Sequence, residues 1–182
     1  MAKAIDLNKE QIVKSAVKLI NEVGWDELNA RSLAKKLNIS TKPLYRVYSN
    51  MDEIKTDVLA EIYRQYGEFI LSRIDNKKAL LTLCIAYVEF ANNYKNLFIC
   101  LFLSDNLKWK KIEDVFDEKW NQSTIINLVN KHGCSFEEAK ELFLSMWLYS
   151  NGLATLIATN QIKLDEEKIM VRLIKIYKNL VK

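Results

Sequence analysis

The sequence predicts an all-α protein in which a three-helix N-terminal unit precedes a larger helical body. Three observations carry that prediction. Only four Gly and one Pro punctuate 182 residues, too few for the turns of a strand-rich fold. Apolar residues make up 49% of the chain and recur mostly at helical spacing. Residues suited to helix caps stand where those periodic runs break. The length suits one large domain, or a small one joined to a medium one. We divide the chain as 1–50 and 51–182.

Ile12, Ala16, Leu19, Ile20 and Val23 form the stripe of a first helix over 8–23, with Gly24 at its C-terminal cap. Lys3 and Lys9 precede or open it, placed either to touch phosphate or simply to be solvated. Asn29 can cap a second, short helix with Leu33, Ala34 and Leu37 on one face and Lys35 and Lys36 off it. A break of about three residues follows. Asn38 tolerates a left-handed backbone, Ile39 can plug the angle between helices, and Ser40 can accept from the first free N–H groups of the next helix. That pattern is a helix-turn-helix.

A helix over Thr41–Tyr48, laid out at 100° per residue, puts Leu44, Val47 and Tyr48 on one side. Lys42 and Arg46 centre the other side, with Thr41 and Tyr45 at one margin and Pro43 at the other. Pro43 falls in the first turn, where its missing N–H costs little. Such a cationic, hydrogen-bonding outer face suits the major groove, although helix pairs with a solvated basic face also occur in other helical domains. Charge leans the same way: residues 1–55 carry 10 Lys/Arg against 7 Asp/Glu, and residues 56–182 carry 17 against 16.

Capping boxes at Ser49/Asp52 and Asn50/Glu53 start a long helix near 51, running through Ile54, Val58, Ile62 and Phe69 to about Asp75. Gly67 within it marks a kink or a close packing contact. Residues 77–130 then read as three helices, Leu80–Tyr94, Leu97–Leu103 and about Trp109–Val129. Tyr87, Phe90, Phe98, Phe102, Trp109, Phe116 and Trp120, with Trp147 further on, are either core packing or the lining of a pocket for an apolar or flat ligand. Glu89 in this stretch can either pair with a cationic ligand or face water, and the second is expected.

His132-Gly133 closes that helix, and Ser135 with Glu138 caps the next, over 136–160, which is apolar on most sides. Asp165 caps a last helix with stripes Ile169/Leu173/Ile176/Leu180 and Met170/Ile174/Tyr177/Val181. One stripe can face the body and the other a second copy, which predicts a homodimer through 136–160 and 165–181; the alternative is that both helices are buried inside one chain.

Cys84, Cys100 and Cys134 are widely spaced, and His132 is the lone histidine, so neither a metal site nor a disulfide framework is expected. No cofactor is expected either, and no nucleophile–base pair can be assembled, which argues against an enzyme. The N-terminus lacks the apolar run of a signal peptide, and no apolar stretch is expected to approach the roughly 18 residues of a membrane span, so the chain reads as cytoplasmic.

Over residues 10–55 the chain resembles the TetR/AcrR family of bacterial transcriptional regulators: a first helix ending at a glycine, then R-S-L-A-K-K-L and L-Y-R-V-Y. The resemblance implies a dimeric repressor of a double-stranded DNA operator, released by a small-molecule effector. A protein partner in place of that effector is the alternative. By position it assigns DNA contacts to Arg31, Thr41, Lys42, Pro43 and Tyr45, beside Arg46 from the helix layout and Lys55. Val47 stands where many members have a phosphate-binding histidine, Met51 where a lysine is usual, and Asn38 where the turn glycine is usual. Lys55, one turn beyond Met51, can substitute. These departures predict weaker or more salt-sensitive operator binding than in a member with both cations.

Overall fold

A computed structural model describes residues 7–160 and 162–181, so Lys3 lies outside the described residues. The elements are α1 (Lys9–Val23), α2 (Ala30–Leu37), α3 (Leu44–Val47), α4 (Met51–Leu71), α5 (Ala79–Asn93), α6 (Lys95–Phe102), α7 (Lys119–His132), α8 (Phe136–Asn160) and α9 (Glu166–Leu180). Two short 3₁₀ turns, Asn76–Lys78 and Ile112–Asp117, precede α5 and α7. The described residues form an all-α structure, an N-terminal helix-turn-helix unit followed by a helical body.

Local chemistry explains where these helices begin and end. Asn8 and Gln11 make a reciprocal cap on α1 at 2.9 and 3.1 Å. Gly24 closes that helix at φ +98, a region that L side chains rarely adopt. Asn50 caps α4 by accepting from the Glu53 N–H (2.9 Å), while the Glu53 carboxylate reaches back to the N–H of Ser49 (2.9 Å). Gly133 ends α7 in the left-handed region, and Ser135 and Glu138 cap α8 reciprocally.

Three boundaries differ from the sequence reading. α3 begins after Pro43, not at Thr41. Pro43 has no N–H and disfavours a helical Lys42, so the entry is a turn in which the Leu44 N–H donates to the Thr41 carbonyl (3.1 Å). Ser40 supplies no side-chain cap there. α4 stops at Leu71, short of Asp75, giving about 32 Å of helix at 1.5 Å per residue. The Ser72 hydroxyl donates to the Phe69 carbonyl, and Asp75 caps the next turn by accepting from the Lys77 N–H. The expected helix Trp109–Val129 is divided. Asp114 accepts from the N–H groups of Lys110 and Lys111 to start a 3₁₀ turn, and Glu118 is extended (φ −69, ψ 128), so α7 starts only at Lys119.

α5 is the centre of the body, packed against α4, α6, α7, α8 and α9, and is buried on nearly every side. α8 buries Ala139, Phe143, Met146, Ser150, Ala154 and Ile157, yet leaves Leu148 and Leu156 exposed. Contrary to expectation, this helix is long and apolar enough to meet the test for a membrane span, but that buried stripe packs into the body. Gly67 marks close packing: a Cβ there would stand 3.5 Å from the Trp120 ring. Glu89 is half-buried and mostly turned from water. It pairs with Arg73 at 3.2 Å, and the Arg73 guanidinium lies 3.6 Å over the Phe69 ring.

α1 joins the two parts. It packs on α2, α4 and α6, and the Asn96 side-chain amide donates to the Asn21 carbonyl at 3.0 Å. The Tyr48 hydroxyl donates to Asp57 at 2.8 Å, and Lys9 pairs with the same carboxylate at 3.6 Å, so α3's exit, α1 and α4 share one charged contact. Burial, then that hydrogen bond, push the Tyr48 phenol pKa up.

Candidate nucleic-acid interface and aromatic chamber

The Asn29 side-chain oxygen accepts from the N–H groups of Arg31 and Ser32, both at 3.0 Å, and the Ser32 hydroxyl accepts from the Asn29 N–H at 3.1 Å. This reciprocal cap starts α2 with Arg31 in its exposed first turn. Asn38 takes the left-handed conformation at φ 56 that the turn needs, and its N–H and that of Ile39 close the α2 carbonyls of Lys35 and Ala34. Half-buried Ile39 packs on the core behind the turn.

Leu33, Leu44 and Tyr48 bury the inner faces of α2 and α3, which leaves Lys42, Tyr45 and Arg46 exposed and Thr41 and Pro43 half-buried. The two tyrosines divide: Tyr48 is 2% exposed and structural, whereas Tyr45 is 47% exposed and available to a partner. Among the described residues, no carboxylate lies within ion-pair distance of Arg31, Lys42 or Arg46, whereas Lys36 pairs with Glu22 at 2.6 Å. Lys55 is half-buried, its ammonium 5.7 Å from the centre of the Trp25 ring. Val47 and Met51 pack against the core.

In the body, Tyr87, Phe102, Trp109, Trp120 and Trp147 line an enclosed space of about 20 Å³, room for roughly one water. Phe90, Phe98 and Phe116 do not reach it. Phe90 packs edge-on against Tyr66 at 5.1 Å, and Phe98 against Tyr87 at 5.3 Å. Phe116 sits apart, 6.0 Å from Phe143. The aromatic set is therefore mostly stacked on itself, which is why so little space remains. Sequence reasoning missed Tyr63, Tyr66, Glu118 and Asn121, which also line the space. Tyr66 was legible, since it continues the α4 stripe four residues after Ile62. Glu118 was not, because the expected helix ran through it.

Burial pushes the Cys84 and Cys100 thiols up to about 12, consistent with core residues. His132 lies on the surface, its Nε2 3.2 Å from the Tyr177 hydroxyl. Among the described residues, no group of three or more metal-ligating side chains is placed to hold a metal ion.

No family model matches the chain. It is 34% identical over 65 residues to the tetracycline repressor proteins class D of Escherichia coli and class H of Photobacterium damsela subsp. piscicida. That match takes in 36% of this chain, which spans only 30% of the length of either repressor. It is 24% identical over 95 residues, 52% of this chain and 51% of the relative, to the biofilm operon icaADBC HTH-type negative transcriptional regulator IcaR of Staphylococcus epidermidis. A TetR-like transcriptional regulator from Rhodococcus sp. RHA1 superposes with a TM-score of 0.60, covering 100% of this chain and 96% of that one at 14% identity, a likeness of fold. Relatives of this kind match part of its sequence, and a TetR-like architecture matches its whole length, so what the chain shares with TetR regulators is local sequence similarity and the fold.

Proposed function

We propose that this protein is a dimeric DNA-binding transcriptional repressor whose operator affinity is set by an apolar or aromatic small molecule. The observation that carries the DNA half is the exposed trio Arg31, Lys42 and Arg46, none with a carboxylate partner among the described residues, around exposed Tyr45 and on a buried inner face. Cations held away from carboxylates are available to phosphate and to guanine acceptors. Thr41 and Pro43 flank them, and Lys55 stands one helical turn into α4. Leu148 and Leu156 on α8 and Met170, Val171 and Leu180 on α9 are exposed apolar side chains that a second copy would cover.

The small enclosed space supports a second reading, in which a protein partner replaces the small molecule as the signal. The ligand reading requires Trp109 to swing aside. It stands in the segment between α6 and the second 3₁₀ turn, outside any helix, where such a movement breaks no helical hydrogen bond.

The test is anisotropy binding of the purified protein to DNA from immediately upstream of its own gene, alongside a Lys42→Ala/Arg46→Ala variant. Site-specific binding lost in the variant is the expected result. Absent binding, or equal binding by both proteins, refutes the DNA reading.

A further inference from the structure

The enclosed aromatic space contains one carboxylate, that of Glu118. Glu118 precedes α7 in an extended conformation, is half-buried, and makes no side-chain cap to its helix. Among the described residues no Lys, Arg or His lies within ion-pair distance of it. Tyr63 and Glu118 also line two open grooves, of about 370 and 790 Å³, so the carboxylate stands where both grooves meet the enclosed space.

Aromatic rings surround this junction. The Tyr63 and Trp120 rings are 5.7 Å apart, those of Tyr66 and Trp120 5.9 Å, and those of Trp109 and Trp147 5.6 Å. Partial burial, then a hydrogen bond to the Glu118 carboxylate, push the Tyr63 phenol pKa up. Tyr66, only 5% exposed, lines the same space. The Glu118 carboxylate thus has an aromatic neighbour but no basic partner among the described residues, and π-faces attract cations. Lys108 and Lys119 line the outer grooves but not the enclosed space, so neither neutralises it from within.

We infer that the chamber takes an organic cation, a quaternary or protonated amine bearing an apolar or aromatic group, with its charge against Glu118 between Tyr63, Trp109 and Trp120. The inference rests on reading the body as an effector chamber. The apolar group would occupy space opened by Trp109, with the cation against the Glu118 carboxylate.

The experiment titrates the full-length protein with benzyltrimethylammonium and with its neutral carbon isostere, neopentylbenzene, following tryptophan fluorescence. Wild type, Glu118→Gln and Glu118→Lys are compared, and their thermal unfolding confirms that each is folded. The cation is expected to bind saturably and about tenfold or more tighter than the isostere, to lose about tenfold in Glu118→Gln, and to be excluded by Glu118→Lys. Binding of the neutral isostere should be the same in all three proteins. Equal binding of cation and isostere, undiminished cation binding in Glu118→Gln, or no saturable cation binding by wild type overturns the assignment. Upstream-DNA binding by the same preparations separates the two questions. Cation selectivity without DNA binding supports the site and refutes the regulator; DNA binding without cation selectivity does the reverse.

Discussion

Salt dependence offers the sharpest test of the proposed DNA surface. Each protomer presents three exposed cations without an ion-pair partner among the described residues, Arg31, Lys42 and Arg46, hence six in a dimer. If each displaces one counterion, log K against log salt has a slope of about −5. Lys55, drawn against Trp25, would steepen this to about −7 only by leaving that ring. Between 50 and 200 mM salt the affinity should therefore fall by about 10³. Lys42→Ala removes two contacts per dimer, which flattens the slope by about 2 and reduces the fall to roughly 10². Anisotropy titrations on one DNA fragment at four salt concentrations read both slopes. A Lys42→Ala slope within about half a unit of wild type would refute the reasoning, because Lys42 would then touch no phosphate. Val47 and Met51, packed on the core, add no cation. The expected effect is weaker binding that is less sensitive to salt, not more, because a missing phosphate contact removes both affinity and slope.

Other consequences concern stability. Asn29→Ala deletes the side-chain oxygen that accepts from two α2 N–H groups and should cost about 1 kcal/mol in urea denaturation, while loosening the turn that presents Arg31. Phe98→Ala, at a fully buried position stacked on Tyr87 and Phe102, should cost about 3–5 kcal/mol, and a loss below about 1 kcal/mol would mean that the chamber wall collapses freely. At alkaline pH, Cys84 and Cys100 keep their protons up to about 12, whereas an unfolded thiol loses its proton near its ordinary value of 9.0. The unfolded chain binds fewer protons in that window, so stability should fall as pH rises from 9 toward 12. Denaturation midpoints at several alkaline pH values check this, and Cys84→Ala should flatten the fall.

The sequence by itself determined the helical class, the helix-turn-helix and the resemblance to a family, because these depend on local rules. Asn29, Asn38, Asn50 and Gly133 each satisfy or close backbone groups within a few residues of themselves, and the stripe of α1 through Ile12, Ala16, Leu19 and Ile20 needs only helical period. Tertiary structure decided the rest. Whether a ring stacks on another ring or borders open space depends on partners far along the chain, which is why Phe90, Phe98 and Phe116 left the expected lining and Tyr63 and Tyr66 joined it. Glu89 found Arg73 across sixteen residues, beyond the reach of any local pattern. Glu118 entered the chamber because Asp114 starts a turn that divides the expected helix, bringing a carboxylate together with aromatic side chains from α4, α5, α6, α7 and α8. Periodicity locates a buried face; only packing shows which buried faces meet and how much room they leave.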